Sequence, residues 1–196
     1  MTPFLTIYLP YWKLENGLLA RPVSLARAHG SVLSQALPPN VTIQPLFVED
    51  THPGGSGVGG MFAQVPANAH KVRGDYVVFL ADDDELAWGD VVVKLYALIE
   101  ANDRPDVVIV STDKAHHGRL PYDIQGPPIS GRIDLNCVVT RRDVWLQHVH
   151  DYGHSYEGDY QHVAAMWDAG RRFLWTSEST GLLFSRGAVS GGRAEA

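Results

Sequence analysis

The sequence predicts an α/β fold in which helices flank a mostly parallel sheet. Two observations lead to this prediction. Short apolar stretches rich in β-branched and aromatic residues alternate along the chain with longer amphipathic stretches. The short stretches, such as residues 76–81, are apolar at nearly every position, which is typical of strands covered on both faces. A length of 196 residues with 45% apolar residues is sufficient for one domain with a full core.

The composition limits the class of protein. A net charge of -6 argues against a broad basic face that grips nucleic acid. Cys137 is the only cysteine, so no internal disulfide can form and a reducing compartment is the simpler assumption. No stretch resembles a leader peptide or reaches the length of a membrane span. We therefore expect a cytoplasmic protein without stable membrane insertion.

The first part of the chain predicts a strand, a helix and a second strand. Residues 4–9 form the first strand, and Pro10 is expected to end it because proline cannot continue a central ladder. Apolar or small residues recur on one face of residues 24–36, which predicts a helix. Residues 41–48 predict the second strand, which leads directly into Asp50.

A glycine-rich segment follows the second strand. Residues 51–60 contain five glycines and one proline, which predicts irregular structure that can approach a ligand closely. The segment matches neither phosphate-loop signature. A short helix is then predicted over residues 62–72, interrupted or started at Pro66.

Three acids, Asp82, Asp83 and Asp84, follow the buried strand of residues 76–81. Adjacent carboxylates repel one another unless a cation lies among them. Hard oxygen ligands suit Mg²⁺ or Mn²⁺. The alternative is a group of solvated loop acids that favour the N-terminus of the next helix.

The second part of the chain continues the alternation of helices and strands. Residues 112–131 have the composition of a long loop. Residues 187–196 are small and polar and are predicted to be a disordered tail, which leaves residues 1–186 as a single domain. The remaining elements are predicted helices over residues 90–102, 142–148 and 158–169, and predicted strands over residues 106–111, 135–140 and 172–176.

The order of these elements resembles that of a family 2 glycosyltransferase of the GT-A fold. Three segments are similar to its nucleotide-sugar-binding half: the first strand to Asp50, the glycine-rich segment, and residues 74–84 with the sequence Gly-Asp-Tyr-Val-Val-Phe-Leu-Ala-Asp-Asp-Asp. Its acceptor-side half is similar to a later part of the chain: Glu157-Gly158-Asp159-Tyr160, the helix that follows, and Ala-Gly-Arg-Arg of residues 169–172. The resemblance extends over about residues 4–178. It implies a single Rossmann-like sheet of GT-A type.

The resemblance also implies an activity. The family's enzymes move a sugar from a nucleotide diphosphate-sugar to a hydroxyl acceptor, so we expect a metal-dependent transferase of the hexosyltransferase type with a UDP-sugar as donor. The sequence does not select a class of acceptor, and an oligomer is compatible with it.

Donor contacts are implied for residues in the first half. Pro10 and Tyr11 correspond to the segment that packs around the donor base, and Asp50 to the carboxylate that hydrogen-bonds the base. Arg73, just ahead of the buried strand, is a further candidate for contact with a donor phosphate or base. Each residue also has a purely structural explanation. Pro10 could end a strand, Tyr11 could be a core aromatic, Asp50 could form a turn, and Arg73 could extend from a helix end.

The acid triplet corresponds to the family's DXD motif, which holds Mn²⁺ or Mg²⁺ against the donor's two phosphates and touches the ribose. A cation there offsets the charge that develops on the leaving diphosphate. The family commonly has Asp directly after the leucine, where this chain has Ala81. We therefore expect the three acids to share these contacts, with Asp83 and Asp84 favoured for the metal. Asp82 is favoured for the ribose. All three acids stay candidate metal ligands, and Asp82 and Asp83 are also candidate contacts of the donor.

Asp159 corresponds to the general base of inverting members, which takes the proton from the acceptor hydroxyl. The family commonly writes adjacent Glu-Asp, whereas Gly158 intervenes here, so Glu157 is a rival base. A helix-start acid that favours the dipole is the structural alternative.

Two other functions are compatible with parts of the sequence. A non-catalytic nucleotide- or sugar-binding module of the same fold is favoured by Ala81 where the family has Asp, by the inserted Gly158 and by the short chain. A nucleotidyltransferase on a related sheet would need a glycine-rich phosphate loop after the first strand, and the segment after Leu9 lacks one.

Overall fold

The computed structural model describes residues 2–14, 16–51, 57–114, 118–121, 126–153, 155–176 and 184–185. Its strands are β1 (Leu5–Trp12), β2 (Ile43–Asp50), β3 (Tyr76–Phe79), β4 (Asp84–Glu85), β5 (Val107–Ile109), β6 (Thr112–Lys114), β7 (Gly118–Leu120), β8 (Val138–Arg141), β9 (Phe173–Trp175) and β10 (Phe184–Ser185). Its helices are α1 (Pro22–Leu33), α2 (Gly57–Asn68), α3 (Val91–Ala101), α4 (Arg142–His148) and α5 (Gly158–Asp168), with short 3-10 helices at Ala69–Lys71 and Leu135–Cys137.

A six-stranded sheet forms the centre of the fold, in the order β2-β1-β3-β8-β5-β9. Every strand of this sheet except β8 runs in the same direction, and β8 is antiparallel to both β3 and β5. The predicted α/β class with a mostly parallel sheet is therefore confirmed. The carboxyl ends of β1, β2 and β3 meet at one edge of the sheet, where ligands collect in such folds.

The buried strand β3 contributes residues to two clusters of the core, one on each face of the sheet. All four of its residues are buried, as the apolar run predicts. Tyr76 and Val78 pack with residues of α1 and α3 on one face. Val77 and Phe79 pack with residues of α2 and α4 on the other. Because successive strand residues point to opposite faces, a continuous apolar run is what a strand between two helical layers requires.

The predicted end of the first strand at Pro10 is wrong, because β1 continues to Trp12. The Tyr8 carbonyl accepts a hydrogen bond from the Leu80 N–H at 2.9 Å, on the side of β3. Pro10, two residues later, faces the same side, beyond the last paired residue of β3. β1 stays paired with β2 up to Trp12 and Asp50. The missing N–H of Pro10 is tolerated because, among the described strands, none pairs with β1 at that point on the side of β3.

The irregular structure predicted for residues 51–60 is also partly wrong, because α2 begins at Gly57 and residues 52–56 lie outside the described residues. α2 ends at Asn68, before the predicted end at residue 72, and Pro66 lies inside it. The predicted loop of residues 112–131 contains the hairpin strands β6 and β7. These belong to a second sheet of order β4-β10-β6-β7.

Other features agree with the sequence or lie beyond the described residues. α1 begins at Pro22, in the first turn where proline is favoured, slightly before the predicted start at residue 24. Cys137 is buried. The predicted tail of residues 187–196 lies outside the described ranges. Within those ranges, no helix combines the length and apolar character needed to cross a membrane.

Candidate functional site

Three of the predicted groups lie at the carboxyl ends of adjacent strands. Asp50 is the last residue of β2 and pairs with Trp12 of β1. Pro10 and Tyr11 pair with Val48 and Glu49 in the same ladder. The acid triplet follows β3 after Leu80 and Ala81. Sheet topology alone therefore brings the candidate base-binding residues and the acids to one edge.

The acids sit on a tight turn. The Asp84 N–H donates to the Ala81 carbonyl at 3.1 Å, so Asp82 and Asp83 are the two central residues of the turn. Arg21 Nη1 lies 2.9 Å from Asp82 Oδ1 and 2.9 Å from Asp83 Oδ2. Arg21 directly precedes Pro22 at the start of α1. Two carboxylates of the triplet therefore converge on one cationic side chain. We call residues 81–84 the acid turn.

Burial perturbs the carboxyl group of Asp82. Removal from water raises the pKa of Asp82 to about 6, and the charges of Asp83 and Asp84 add to this, whereas Arg21 opposes it. The pKa stays raised, so the Arg21 guanidinium offsets only part of the cost of burying this carboxylate.

Asp84 has a different partner from the other two acids. It is buried, and Asn136 Nδ2 donates to its Oδ2. Asn136 belongs to the 3-10 helix that precedes β8, and the antiparallel direction of β8 brings this helix to the same edge as the acid turn. The triplet is thus divided into a pair held by Arg21 and a third acid held by an amide.

The acid turn supplies carboxylate oxygens, the type of ligand that a hard divalent cation prefers. In the part of the chain that the structure describes, no group of three or more His, Cys, Asp or Glu side chains is placed to hold a metal together. Asp82 and Asp83 nevertheless converge on a cation, the guanidinium of Arg21. One or two carboxylates plus substrate phosphates are the usual protein site for Mg²⁺. Asp82 and Asp83 are therefore the pair that would hold such an ion.

Asp50 lies at a small pocket between β1, β2 and α2. Tyr8, Pro10, Met61 and Gln64 line the pocket together with residues 48–50. Gln64 Nε2 donates to Asp50 Oδ1, and Gln64 Oε1 accepts from the Thr51 backbone N–H at 3.2 Å. The orientation of the Asp50 carboxylate is therefore held by α2.

Tyr11 contacts its pairing partner in the same ladder, Glu49. Its hydroxyl lies 3.4 Å from Glu49 Oε2, which also accepts from Lys13 Nζ at 2.7 Å. Tyr11 is half-buried rather than part of the core.

Asp159 and Glu157 start α5 in different environments. Asp159 lies in the first turn, is partly buried, and accepts from the Tyr160 N–H at 2.7 Å. Glu157 is exposed and accepts from Ser130 Oγ at 2.5 Å. A Cβ on Gly158 would lie 2.4 Å from Phe62 Cδ2 and 2.6 Å from the Gly153 carbonyl oxygen. The glycine between the two acids is therefore what allows the start of α5 to pack on α2.

An aromatic cluster connects Asp159 with the strand ends. The Tyr152 ring stacks on Phe62, with centroids 5.2 Å apart, and lies 5.9 Å from Phe79, while Tyr8 lies 4.5 Å from Phe79. Burial raises the pKa of Tyr152, and the charge of Asp159 adds to the increase. Burial likewise raises the pKa of Tyr8, with a contribution from Asp50. Asp50 and Asp159 thus act on adjoining members of one cluster beneath the carboxyl ends of β1 and β3.

Arg73 lies apart from these residues. It precedes β3, and its backbone N–H donates to Gln44 Oε1 at 2.9 Å. This is the amino end of β3, whereas the acids follow its carboxyl end. A donor contact by Arg73 stays a prediction that the geometry does not favour.

Three polar residues of this edge were not predicted from the sequence: Arg21, Gln64 and Asn136. Each acts on a predicted acid across a turn or a tertiary contact, and no local motif marks it. The one available signal is Arg21 directly before a proline-initiated helix, which places a cation at the same edge as the strand ends.

Comparison with solved structures finds S. aureus TarS. TarS 1–349 in complex with UDP-GlcNAc has 12% sequence identity and a TM-score of 0.67, over 96% of this chain and 60% of that chain. TarS 1–349 in complex with UDP has 11% identity and a TM-score of 0.60, over 92% of this chain and 59% of that chain. A further TarS structure has 10% identity and a TM-score of 0.64, over 92% of this chain and 36% of that chain.

The chain therefore spans about three fifths of the length of TarS 1–349. At this level of identity the likeness shows the fold alone, which is the GT-A type of α/β fold expected from the sequence. No protein-family model matches the chain, and a search of curated proteins finds no match.

Proposed function

We propose that the protein is a glycosyltransferase that moves a sugar from a nucleoside diphosphate-sugar of the UDP type to a hydroxyl acceptor. The observation that carries the proposal is the acid turn at the carboxyl end of β3, where Asp82 and Asp83 converge on one cation. The GT-A type of fold and the TarS complexes with UDP-GlcNAc and UDP support it. The sugar that it would transfer is a hexose.

The nucleoside would bind at the ends of β1 and β2. Pro10 and Tyr11 would pack against the base, and Asp50 would accept a hydrogen bond from a base N–H. The hydrogen bond from Gln64 to Asp50 Oδ1 supports this role, because it fixes the direction in which the carboxylate faces.

We further propose that the enzyme depends on Mn²⁺ or Mg²⁺. Asp82 and Asp83 would hold the ion, and Asp84 is the third candidate, oriented by Asn136. When bound, such an ion neutralises charge that develops on the leaving diphosphate. Asp82 and Asp83 also remain the candidate donor contacts, with Asp82 favoured for the ribose.

Asp159 would act as general base in an inverting transfer. The acceptor hydroxyl oxygen attacks the anomeric carbon, its proton passes to Asp159, and the bond from that carbon to the diphosphate oxygen breaks. The hydrogen bond from the Tyr160 N–H and the first turn of α5 fix the Asp159 carboxylate in place. Glu157 is the rival base, held at Ser130.

The experiment combines donor binding with turnover. Wild-type protein is titrated with UDP in the presence and absence of Mn²⁺, and UDP release from UDP-GlcNAc is followed. Asp159→Asn should lower turnover at least 100-fold, the usual scale for loss of a general base, while UDP affinity is retained. Asp168→Asn, at the other end of α5, is the matched control and should leave both unchanged.

Each contrary outcome has a separate meaning. Absence of UDP binding with and without metal would contradict the proposed function. A large loss in Glu157→Gln instead of Asp159→Asn would make Glu157 the base. Donor binding without turnover on any acceptor would favour a nucleotide-binding module of the same fold.

A further inference from the structure

Arg21 is placed as a cation inside the acid turn. Its Nη1 lies 2.9 Å from one oxygen each of Asp82 and Asp83, and the exposed fractions of the three side chains are 14%, 11% and 20%. The contact joins residues 61 positions apart in the chain. Because the three groups are largely withdrawn from water, salt screens this contact less than it screens a surface ion pair.

The Arg21 guanidinium reduces the repulsion between the two carboxylates that it bridges. Asp82 and Asp83 are adjacent in sequence and face the same point, so without a cation between them their charges would repel in a poorly solvated environment. A guanidinium is always charged, so the positive charge of this contact does not depend on pH. The free protein therefore carries a permanent substitute for a divalent ion at the pair of carboxylates best placed to hold one.

We infer that Arg21 is a built-in counter-ion that competes with a divalent cation for Asp82 and Asp83. Both cations need the same two carboxylates, so an ion can bind there only as the Arg21 contacts are given up. The free energy of those contacts is subtracted from the affinity for the metal. The inference rests on the proposed function only in placing the divalent ion at the acid turn.

Arg27 provides a matched control. It lies on α1 close to Arg21 in sequence, and its Nε lies 3.8 Å from Glu85 Oε2, at the residue directly after the triplet. Replacement of Arg27 by Gln removes the same charge from the same region but leaves the Arg21 bridge in place.

The test is calorimetric titration of the full chain with Mn²⁺ alone. Arg21→Gln should bind Mn²⁺ at least tenfold more tightly than wild type, and Arg27→Gln should remain within about threefold of wild type. Arg21→Lys, which keeps a charge but loses the planar fork, should lie between wild type and Arg21→Gln. Equal or weaker Mn²⁺ binding by Arg21→Gln, or absence of binding by both proteins, would overturn the inference.

A second measurement uses the wild-type protein, in case Arg21→Gln does not fold. The Nε–H signals of Arg21 and Arg27 are followed by NMR during titration with diamagnetic Mg²⁺. The Arg21 signal should move or lose its protection from solvent exchange in step with Mg²⁺ occupancy, while the Arg27 signal changes little. An Arg21 signal that is unchanged at saturation would overturn the inference.

A UDP titration separates this inference from the proposed function. If Arg21→Gln gains Mn²⁺ affinity but no variant binds UDP, the proposed function fails and the role of Arg21 stands. If UDP binds to wild type but Arg21→Gln gains no Mn²⁺ affinity, the proposed function stands and the role of Arg21 fails.

Discussion

Gly74 lies just before β3, where the chain passes close to the backbone of β1. A Cβ there would lie 2.3 Å from the Thr6 backbone nitrogen and 2.6 Å from the Leu5 carbonyl carbon, neither of which can move independently of the strand. The Gly74 N–H also donates to Thr6 Oγ1 at 2.8 Å. Gly30, inside α1, has no atom within 4 Å of such a Cβ. A side chain is therefore excluded at Gly74, whereas there is room for one at Gly30.

Gly74→Ala should lower the free energy of unfolding by about 3 kcal/mol, the upper part of the range for overpacking. Gly30→Ala should raise it by up to about 1 kcal/mol, because alanine is the better helix former. Urea denaturation followed by circular dichroism measures both. Similar effects of the two substitutions would show that the backbones at Gly74 separate without cost.

His162 is a buried neutral histidine. Its ring stacks on Tyr152 with centroids 3.8 Å apart, and its Nδ1 lies 3.0 Å from the His148 carbonyl oxygen. Within the described chain, Nε2 has no hydrogen-bond partner. Burial lowers the pKa of His162 to about 3. The Nδ1–H tautomer, which donates to the carbonyl, satisfies these contacts.

Stability should therefore fall as the pH falls from about 6.5 to about 3. In this window the unfolded chain binds a proton at His162 and the folded chain does not, so each pH unit costs up to about 1.4 kcal/mol. His162→Phe should be about 1 kcal/mol less stable at pH 7, because the His148 carbonyl loses its donor. Its stability should depend less steeply on pH between 6 and 4.

Urea denaturation at several pH values measures this difference in slope. His150→Gln, an exposed histidine near the same cluster, is the control for loss of a histidine as such. An unchanged slope in His162→Phe would mean that the buried ring is protonated in the folded protein.

Only part of the site could be predicted at the level of single residues. The acids follow a strand whose apolar run is visible locally, and Asp50 ends another. Arg21 and Asn136 act on these acids from 61 and 52 positions away in sequence, so no local pattern identifies them. Their role depends on which strands and helices become neighbours, and a single sequence does not encode this in a short window.

At the scale of elements, the sequence predicts best where burial dictates the pattern. β3, β5 and α3 agree with their predicted positions because their apolar periodicity is produced by the core. The end of β1 was mispredicted because the effect of Pro10 depends on where β3 ends. The small second sheet was missed because its strands are two or three residues long, which is too short for a periodic pattern.

α1 holds the segment after the acid turn in place. Ser31 Oγ accepts from the buried Leu86 N–H at 3.0 Å and donates to the Ala28 carbonyl at 2.7 Å. Gln35 Nε2 donates to the Trp88 carbonyl at 2.7 Å. Ser31 lies on α1 and Gln35 lies just beyond its end, while Arg21 directly precedes its first residue. The helix thus fixes both the counter-ion and the chain that leaves the acids.

Ser31→Ala should lower the free energy of unfolding by about 1–2 kcal/mol, because the Leu86 N–H loses its acceptor in a buried position. Ser34→Ala is the matched control. The Ser34 hydroxyl is exposed and donates to the Ser31 carbonyl at 3.1 Å, so its loss should change stability by less than about 0.5 kcal/mol. Urea denaturation measures both, and equal effects would show that water replaces Ser31 at Leu86.

On the scale of the whole molecule, strand direction explains why distant residues form one site. β1, β2 and β3 are parallel, so Tyr11, Asp50 and the acid turn emerge at the same edge. The antiparallel β8 brings its starting residues to that edge, and with them Asn136. The α/β class and the helical layers follow from the alternation of patterns in the sequence. The order β2-β1-β3-β8-β5-β9 depends on long-range pairing and was not predicted.

Ligand binding at this edge should be measurable as stability of the whole protein. If UDP binds to the folded chain alone, UDP at 100 times its dissociation constant should raise the free energy of unfolding by about 2.7 kcal/mol. Asp50 lies in the pocket between β1, β2 and α2, held by Gln64, so its loss should weaken the contact with the base.

Asp50→Ala should lower UDP affinity about tenfold, which reduces the UDP-induced stabilisation by about 1.3 kcal/mol at the same concentration. Asp168→Ala, the same substitution at the exposed end of α5, should retain the full effect of UDP. Thermal or urea unfolding with and without UDP measures the difference. Equal stabilisation of the two variants would place the nucleoside away from the ends of β1 and β2, because no other part of the predicted contact depends on the charge of Asp50.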